Sequence, residues 1–302
     1  MDDLSRLIAR RKFQDRAFRL FGVLCTSLGL ITLAALLIDL AYDGLGRIDW
    51  SFLTSFPSRR AASAGIISAW VGSLVIMVVT AFTAVPLGVA AAIYLEEYAP
   101  KNWFTTIIEI NISNLAGVPS IIYGLMALGL FVYGLGLGHT VLAGGLTLGI
   151  LILPIVIVAT REALRTIPSY IREAAYSVGA TKWQVVRHHL VPYAAGGIAT
   201  GVIIALSRAI GETAPLITIG ALTFIAFLPD APFGGTFPFL NFDWLHSPFT
   251  VLPIQMFNWT SRPTEDFHVN AAAAGLVLIA MTLSLNAVAI LVRYRARRKI
   301  RW

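Results

Sequence analysis

Of 302 residues, 57% are apolar and 13% are charged, about half the charged share of an average soluble domain. With a mean hydropathy of +0.76 and uncharged runs long enough to cross a hydrocarbon core of about 30 Å, the chain is no water-soluble globule. It reads as an all-α polytopic membrane protein with net charge +7 and one cysteine, Cys25, which excludes an internal disulfide, a thiolate metal site and a CxxC redox pair.

Residues 1–19 form a basic arm carrying Arg6, Arg10, Arg11, Lys12, Arg16 and Arg19. The apolar run behind it is too long for a signal peptide and has no small-residue cleavage site, so it reads as an uncleaved first span at about 20–42. A second span at about 66–95 sits in an uncharged run, 61–95, that as one helix would reach about 52 Å, so part of it falls outside the hydrocarbon. No Asp, Glu, Lys or Arg occurs from 110 to 160, and the glycine cluster between Tyr133 and His139 divides that stretch into spans at about 112–134 and 139–160. A loop at 161–190 leads to a fifth span at about 193–224. A sixth, at about 269–292, ends in a tail with Arg293, Arg295, Arg297, Arg298, Lys299 and Arg301. Residues 20–302 are thus one transmembrane domain with no room for a soluble catalytic domain, and any energy source must be another chain.

Six spans put both ends on one side, and 18 of the 23 Lys and Arg residues lie there. By the positive-inside rule that side is cytoplasmic, with 43–60 and 227–268 outside. The positive charge is therefore a topology signal rather than a nucleic-acid surface.

In the 161–190 loop, Pro168 and Ser169 suit a helix start, and Glu173, Ala174 and Ala175 continue a short helix toward a stop at Gly179. Ala175 and Gly179 are four apart, so one face is nearly bare backbone. Thr181 can cap a second short helix on which Trp183, Val186 and Leu190 share a face. Periodicity alone leaves two readings open: an amphipathic helix lying on the membrane, or a surface that drops into a groove on another protein.

The fifth span contains Ser207-Arg-Ala-Ile-Gly-Glu-Thr-Ala-Pro-Leu216, whose Arg208 and Glu212 are the only formal charges between Leu190 and Pro229. Each ionised group at the membrane centre costs about 2.5–3.5 kcal/mol on insertion scales. Their i, i+4 spacing allows an ion pair that only lets the span fold, but Arg precedes Glu, the less favourable order. A pathway role is the other reading. Gly211 and Pro215 loosen the helix here.

Outside, 227–268 holds Asp230, Asp243, Glu265 and Asp266 with Trp244, Phe249, Phe257 and Trp259. This is either an interfacial aromatic belt or a dock for a binding protein. His188 and His189 are adjacent, point to different helix faces and have no third ligand at metal spacing. No G-x-x-x-x-G-K-[ST], H-E-x-x-H or G-x-S-x-G occurs, so the chain has no P-loop and none of these hydrolase motifs.

Glu173-Ala-Ala175, Gly179 four residues on and Pro192 thirteen beyond it resemble the EAA loop of ABC-importer permeases. His189 and Val191 depart from the aliphatic residue and Leu usual in that family. The Arg208 to Leu216 motif resembles the signature of the phosphate branch, in its PstA-type permease subunit. Asn114-Leu-Ala-Gly-Val-Pro-Ser-Ile-Ile-Tyr-Gly124 resembles a second signature of that branch, although Asn114 can also cap a helix whose first turn Gly117 and Pro119 shape.

The resemblance covers about 69–292. It implies a MetI-like ABC-importer permease fold and a loop that seats Glu173, Ala174, Ala175 and Gly179 in a cleft of a cytoplasmic ATPase. It also implies phosphate transport through a pathway involving Arg208 and Glu212, with Asn114 and Ser120 as further candidates. The implied partners are a homologous PstC-type permease, two ATPase subunits that use the ATP and a phosphate-binding protein on the outer face. No cofactor is expected on this chain itself, and its location would be the cytoplasmic (inner) membrane, with both termini cytoplasmic. The rival is a proton-coupled secondary anion transporter or channel, with Glu212 as the proton site and Arg208 holding the anion.

Overall fold

Inside hydrocarbon an apolar segment must bond its own backbone groups, and the α-helix does so within one segment. The computed structural model describes residues 2–231 and 241–299, and every regular element among them is helical. Residues 232–240 of the outer loop and Arg301 of the basic tail lie outside the described residues. In chain order the helices are α1 (Asp2–Gly44), α2 (Trp50–Thr54), α3 (Ile67–Ile93), α4 (Trp103–Leu115), α5 (Ser120–Ala127) and α6 (Val141–Arg165). Then come α7 (Ser169–Ser177), α8 (Lys182–Val185), α9 (Val191–Ile210), α10 (Ala214–Thr218), α11 (Leu252–Thr260) and α12 (Glu265–Lys299). Three π turns extend these helices: Tyr94–Tyr98 after α3, Leu128–Gly134 after α5, and Val186–Leu190 joining α8 to α9.

Five helical rods are long and apolar enough to cross a membrane, and a bent pair makes a sixth crossing if counted as one span. The rods outrun several expected spans: the basic arm continues α1, and α12 runs from 265 to 299.

Two expected spans are not continuous helices. The span expected at 112–134 is the pair α4 and α5, bent by 107°. Pro119 lacks an N–H and disfavours a helical residue before it. The turn closes instead through Gly117 N–H to Asn114 O at 3.0 Å and Val118 N–H to Leu115 O at 3.1 Å. Asn114 therefore sits in the last turn of α4 and caps nothing, since the residue before α5 is Pro119. The fifth span, expected at 193–224, stops at Ile210 and resumes only as the five-residue α10. Pro215 has no N–H for Gly211 O and its ring would clash with that carbonyl, which ends the ladder.

Small residues set the spacing of the central helices. A methyl group at Gly197 of α9 would stand 2.7 Å from Ala163 Cβ of α6, and Gly201 meets Ala159 one turn further. Such contacts bring helix backbones close. This antiparallel register, continued, sets Arg208 level with about Ile152, near the middle of α6, and Ala209 and Ile210 indeed share a small cavity with Leu148. The break in the fifth span is thus about halfway through the bundle.

The far end from the basic loops is closed by tertiary packing. Trp259 is fully buried between Phe52 and Phe267, with ring centroids 6.1 and 6.3 Å away. Phe249 is also buried, and Leu252 N–H donates to Ser73 Oγ at 2.9 Å. Neither Trp259 nor Phe249 can serve in an exposed aromatic belt, because residues 249–255 dip back into the bundle; Phe257 stays exposed. Arg47 bonds Asn270 Oδ1 at 2.9 Å and the carbonyls of Ala62 and Ala64 at 3.0 and 2.9 Å, tying the end of α1 to α12.

Trp259→Ala should destabilise the chain by about 3–5 kcal/mol, the cost of an emptied aromatic site, while Phe257→Ala should be close to neutral. Thermal unfolding in detergent checks this; equal shifts for the two variants would place the 249–260 segment at the surface.

Candidate functional site

At the break, Arg208 occupies the last turn of α9 and Glu212 lies beyond the helix end. Arg208 Nε donates to Glu212 Oε1 at 3.2 Å, and the two side chains are 41% and 16% exposed. The pair therefore bridges the gap instead of lying along one helix face, and the cation sits at the negative end of the α9 dipole. Gly211 and Glu212 N–H groups bond back to Arg208 O and Ala209 O at 3.3 and 3.2 Å. Beside them, Ser207 Oγ stands 2.7 Å from Asn286 Oδ1 on α12.

The two quoted sequence segments meet across this gap. A methyl group at Gly124 of α5 would come within 2.6 Å of Pro215 Cα of α10, so only glycine permits this approach. Tyr123 lies within reach of the Arg208 charge and donates from its hydroxyl to Leu115 O at 2.8 Å, a second bond to a carbonyl that the Val118 N–H also holds. Ser120 is half-buried at the start of the same short helix. Asn114 does not join them. It is exposed and lines a groove of about 290 Å³ with Glu109, Ser113, Arg161 and Arg165. Tyr123 lies within the signature segment, and Asn286 is one of two amides, with Asn270, in the last apolar run.

The second candidate region is the loop at the basic end. Gly179 has φ +83°, which L side chains rarely adopt. Its N–H bonds Tyr176 O at 2.9 Å and that of Ala180 bonds Ala175 O at 3.2 Å, the paired pattern of a Schellman stop. Thr181 and Gln184 then form a capping box that starts α8. Because α7 ends at Ser177, Ala175 and Gly179 do not share a helix face. Ala175 turns inward onto Leu164, Ile167 and Val185, while Glu173, Ala174 and Gly179 are exposed beside Tyr170 and Val178.

Arginines of the basic end anchor this loop. Arg161, 6% exposed, pairs with Glu96 at 3.3 Å and Glu109 at 2.6 Å, and Arg165 shares Glu96 at 3.0 Å. Arg172 of α7 reaches Glu97 at 2.8 Å.

Residues 84–302 match the family described as binding-protein-dependent transport system inner membrane component. The chain belongs to this family. It is 30% identical to the phosphate transport system permease protein PstA of Mycobacterium leprae, over 98% of this chain and 94% of that protein. It is 32% identical to a protein of the same name from Xylella fastidiosa, over 96% of each. Its fold is similar to a chain of a bacterial alginate ABC transporter solved with its pentasaccharide-bound periplasmic protein. That likeness has a TM-score of 0.64 at 15% identity, over 91% of this chain and 93% of that one. This is the all-helical ABC-importer permease fold, and the chain is a multi-pass membrane permease.

A Cβ at Gly179 would meet nothing in this chain, so the demand for glycine within it is conformational. Gly179→Leu should loosen the end of α7 by about 1–2 kcal/mol, whereas Gly179→Asn, which tolerates this conformation, should not. Amide exchange at Ala180 reads the difference; equal exchange in the two variants would contradict it.

Proposed function

We propose that this chain is a permease subunit of an ATP-driven importer that carries inorganic phosphate across the cytoplasmic membrane. One observation carries the reading: an arginine and a glutamate bridge a helix break at mid-depth, in a chain akin throughout its length to phosphate permeases. Irregular backbone at that depth is tolerated only against protein or a water-filled cavity. Phosphate in a low-dielectric passage needs a cation, and a guanidinium offers paired N–H donors that match two of its oxygens. Glu212 takes Nε, and the Nη groups are the donors a phosphate would use. Ser120, at the start of the short helix that carries Tyr123, would line the same passage. Asn114 belongs to the groove at the basic end and would meet the anion on exit.

Without a P-loop, the chain would receive its work from one of the complex's two cytoplasmic ATPase subunits, docked on α7 through Glu173, Ala174, Gly179 and their exposed neighbours. Ala175 would set the packing behind that surface. The basic end is then cytoplasmic, with both termini there. A homologous PstC-type permease would complete the passage, and a phosphate-binding protein would deliver at the opposite face. Membership in a binding-protein-dependent family weighs against the proton-coupled alternative.

Arg208→Lys should assemble into the complex and lower phosphate uptake about tenfold or more, the worth of a charged hydrogen bond. Arg208→Ala with Glu212→Ala removes both charges, which folding often tolerates, and this double variant should assemble yet fail to transport. Near-normal uptake by it in vesicles would reduce the pair to a folding device.

A further inference from the structure

Arg172 stands where three helices meet at the basic end. Its Nε and Nη2 donate to Glu97 Oε1 at 3.2 and 2.8 Å, Nη1 to Ile167 O at 2.9 Å and Nη2 also to Leu164 O at 3.2 Å. One guanidinium on α7 thus holds a carbonyl in the last turn of α6, a carbonyl of the turn after it, and the carboxylate that ends α3. Glu97 is 6% exposed at its side chain and Arg172 is 22% exposed, so water screens the pair little. The π turn Tyr94–Tyr98 lets neighbouring acids serve different partners: Glu96 takes Arg161 and Arg165, and Glu97 takes Arg172. From α8, Lys182 Nζ lies 5.0 Å from the centre of the Tyr98 ring.

The chain itself joins α7 only to α6 and α8. The connection to α3 is made by side chains, and α3 runs from this end into the opposite closure, where its Ala69 is buried with Phe52, Trp259 and Phe267. It packs along α6 where Gly88 meets Val156 and Gly145 meets Val79, and its Ser73 holds Leu252 at the far end. We propose that the Glu97–Arg172 pair is the positioning strut through which movement of α7 is passed to α3, so that the far closure and the basic end shift together. This rests on the reading that α7 docks an ATPase. Breaking the strut should leave docking and ATP hydrolysis in place and disconnect them from transport.

The test uses the whole complex in vesicles, with phosphate-binding protein and phosphate on one side and ATP on the other, and compares ATP hydrolysed with phosphate moved. In Glu97→Gln and Glu97→Ala the ATPase should co-purify as in the wild type, while ATP consumed per phosphate rises about fivefold or more, the scale of a usual coupling free energy. Cysteines at 97 and 172 in a Cys25→Ser background, joined by a short thiol-reactive cross-linker, should bring the ratio back toward the wild-type value. An unchanged ratio in Glu97→Ala overturns the strut, and so does loss of the ATPase from both single variants, which would make the pair part of the dock. A wild-type chain that binds no ATPase would overturn the docking reading as well, an outcome visible before any variant is made.

Discussion

A backbone amide surrounded by hydrocarbon has no water to turn to, so each interruption of a helix at depth must be answered by a neighbour. The gap between α9 and α10 and the bend between α4 and α5 bond mostly within themselves and pack against one another. Tyr123 reaches back to Leu115 O, Thr218 Oγ1 bonds Pro215 O at 2.8 Å, Ala221 N–H bonds Leu216 O at 3.0 Å, and His139 Nδ1 meets Ile219 O at 2.6 Å. The glycine at 124 allows α5 and α10 to press together. Two irregular segments that would each be costly alone are thereby sheltered against one another. The arginine and glutamate at the gap inherit a fixed position from them.

Around that gap the bundle is held at small residues. Gly197 and Gly201 of α9 lie on Ala163 and Ala159 of α6, and Ser207 and Thr200 bond Asn286 and Arg293 of α12. These contacts fix both the depth and the rotation of α9, and so the direction in which Arg208 projects. By contrast, α1 meets α12 near Leu40 and Gly44, and the long apolar stretch before them is exposed in this chain. The α7 loop is braced against this packed bundle by the ion pairs of Arg161 and Arg172.

Hydropathy made the crossings legible because length and lack of charge are what a bilayer selects. The same averaging hid the interruptions. Gly117 and Pro119 lie in a stretch with no charge from 110 to 160, and no charge follows Glu212 until Asp230, so each break sits inside a run long enough to read as one span. Proline chemistry pointed to both places without showing how far the chain turns. Arg208 and Glu212 stood out as lone charges and are indeed paired, whereas a spacing of four between Ala175 and Gly179 suggested one face only while the helix was assumed to continue. Burial of Trp259 and Phe249, and the bonding of Arg161 and Arg172, depend on residues distant in sequence, which local pattern does not carry.

The loop braced at one end and the charged gap at the centre make sense together if ATP hydrolysis drives phosphate past Arg208. The most direct measurement is phosphate uptake by the complex in vesicles, with ATP and the proton gradient varied separately. Uptake should require ATP and continue when the gradient is collapsed. Uptake that persists without ATP and follows the gradient would contradict the account.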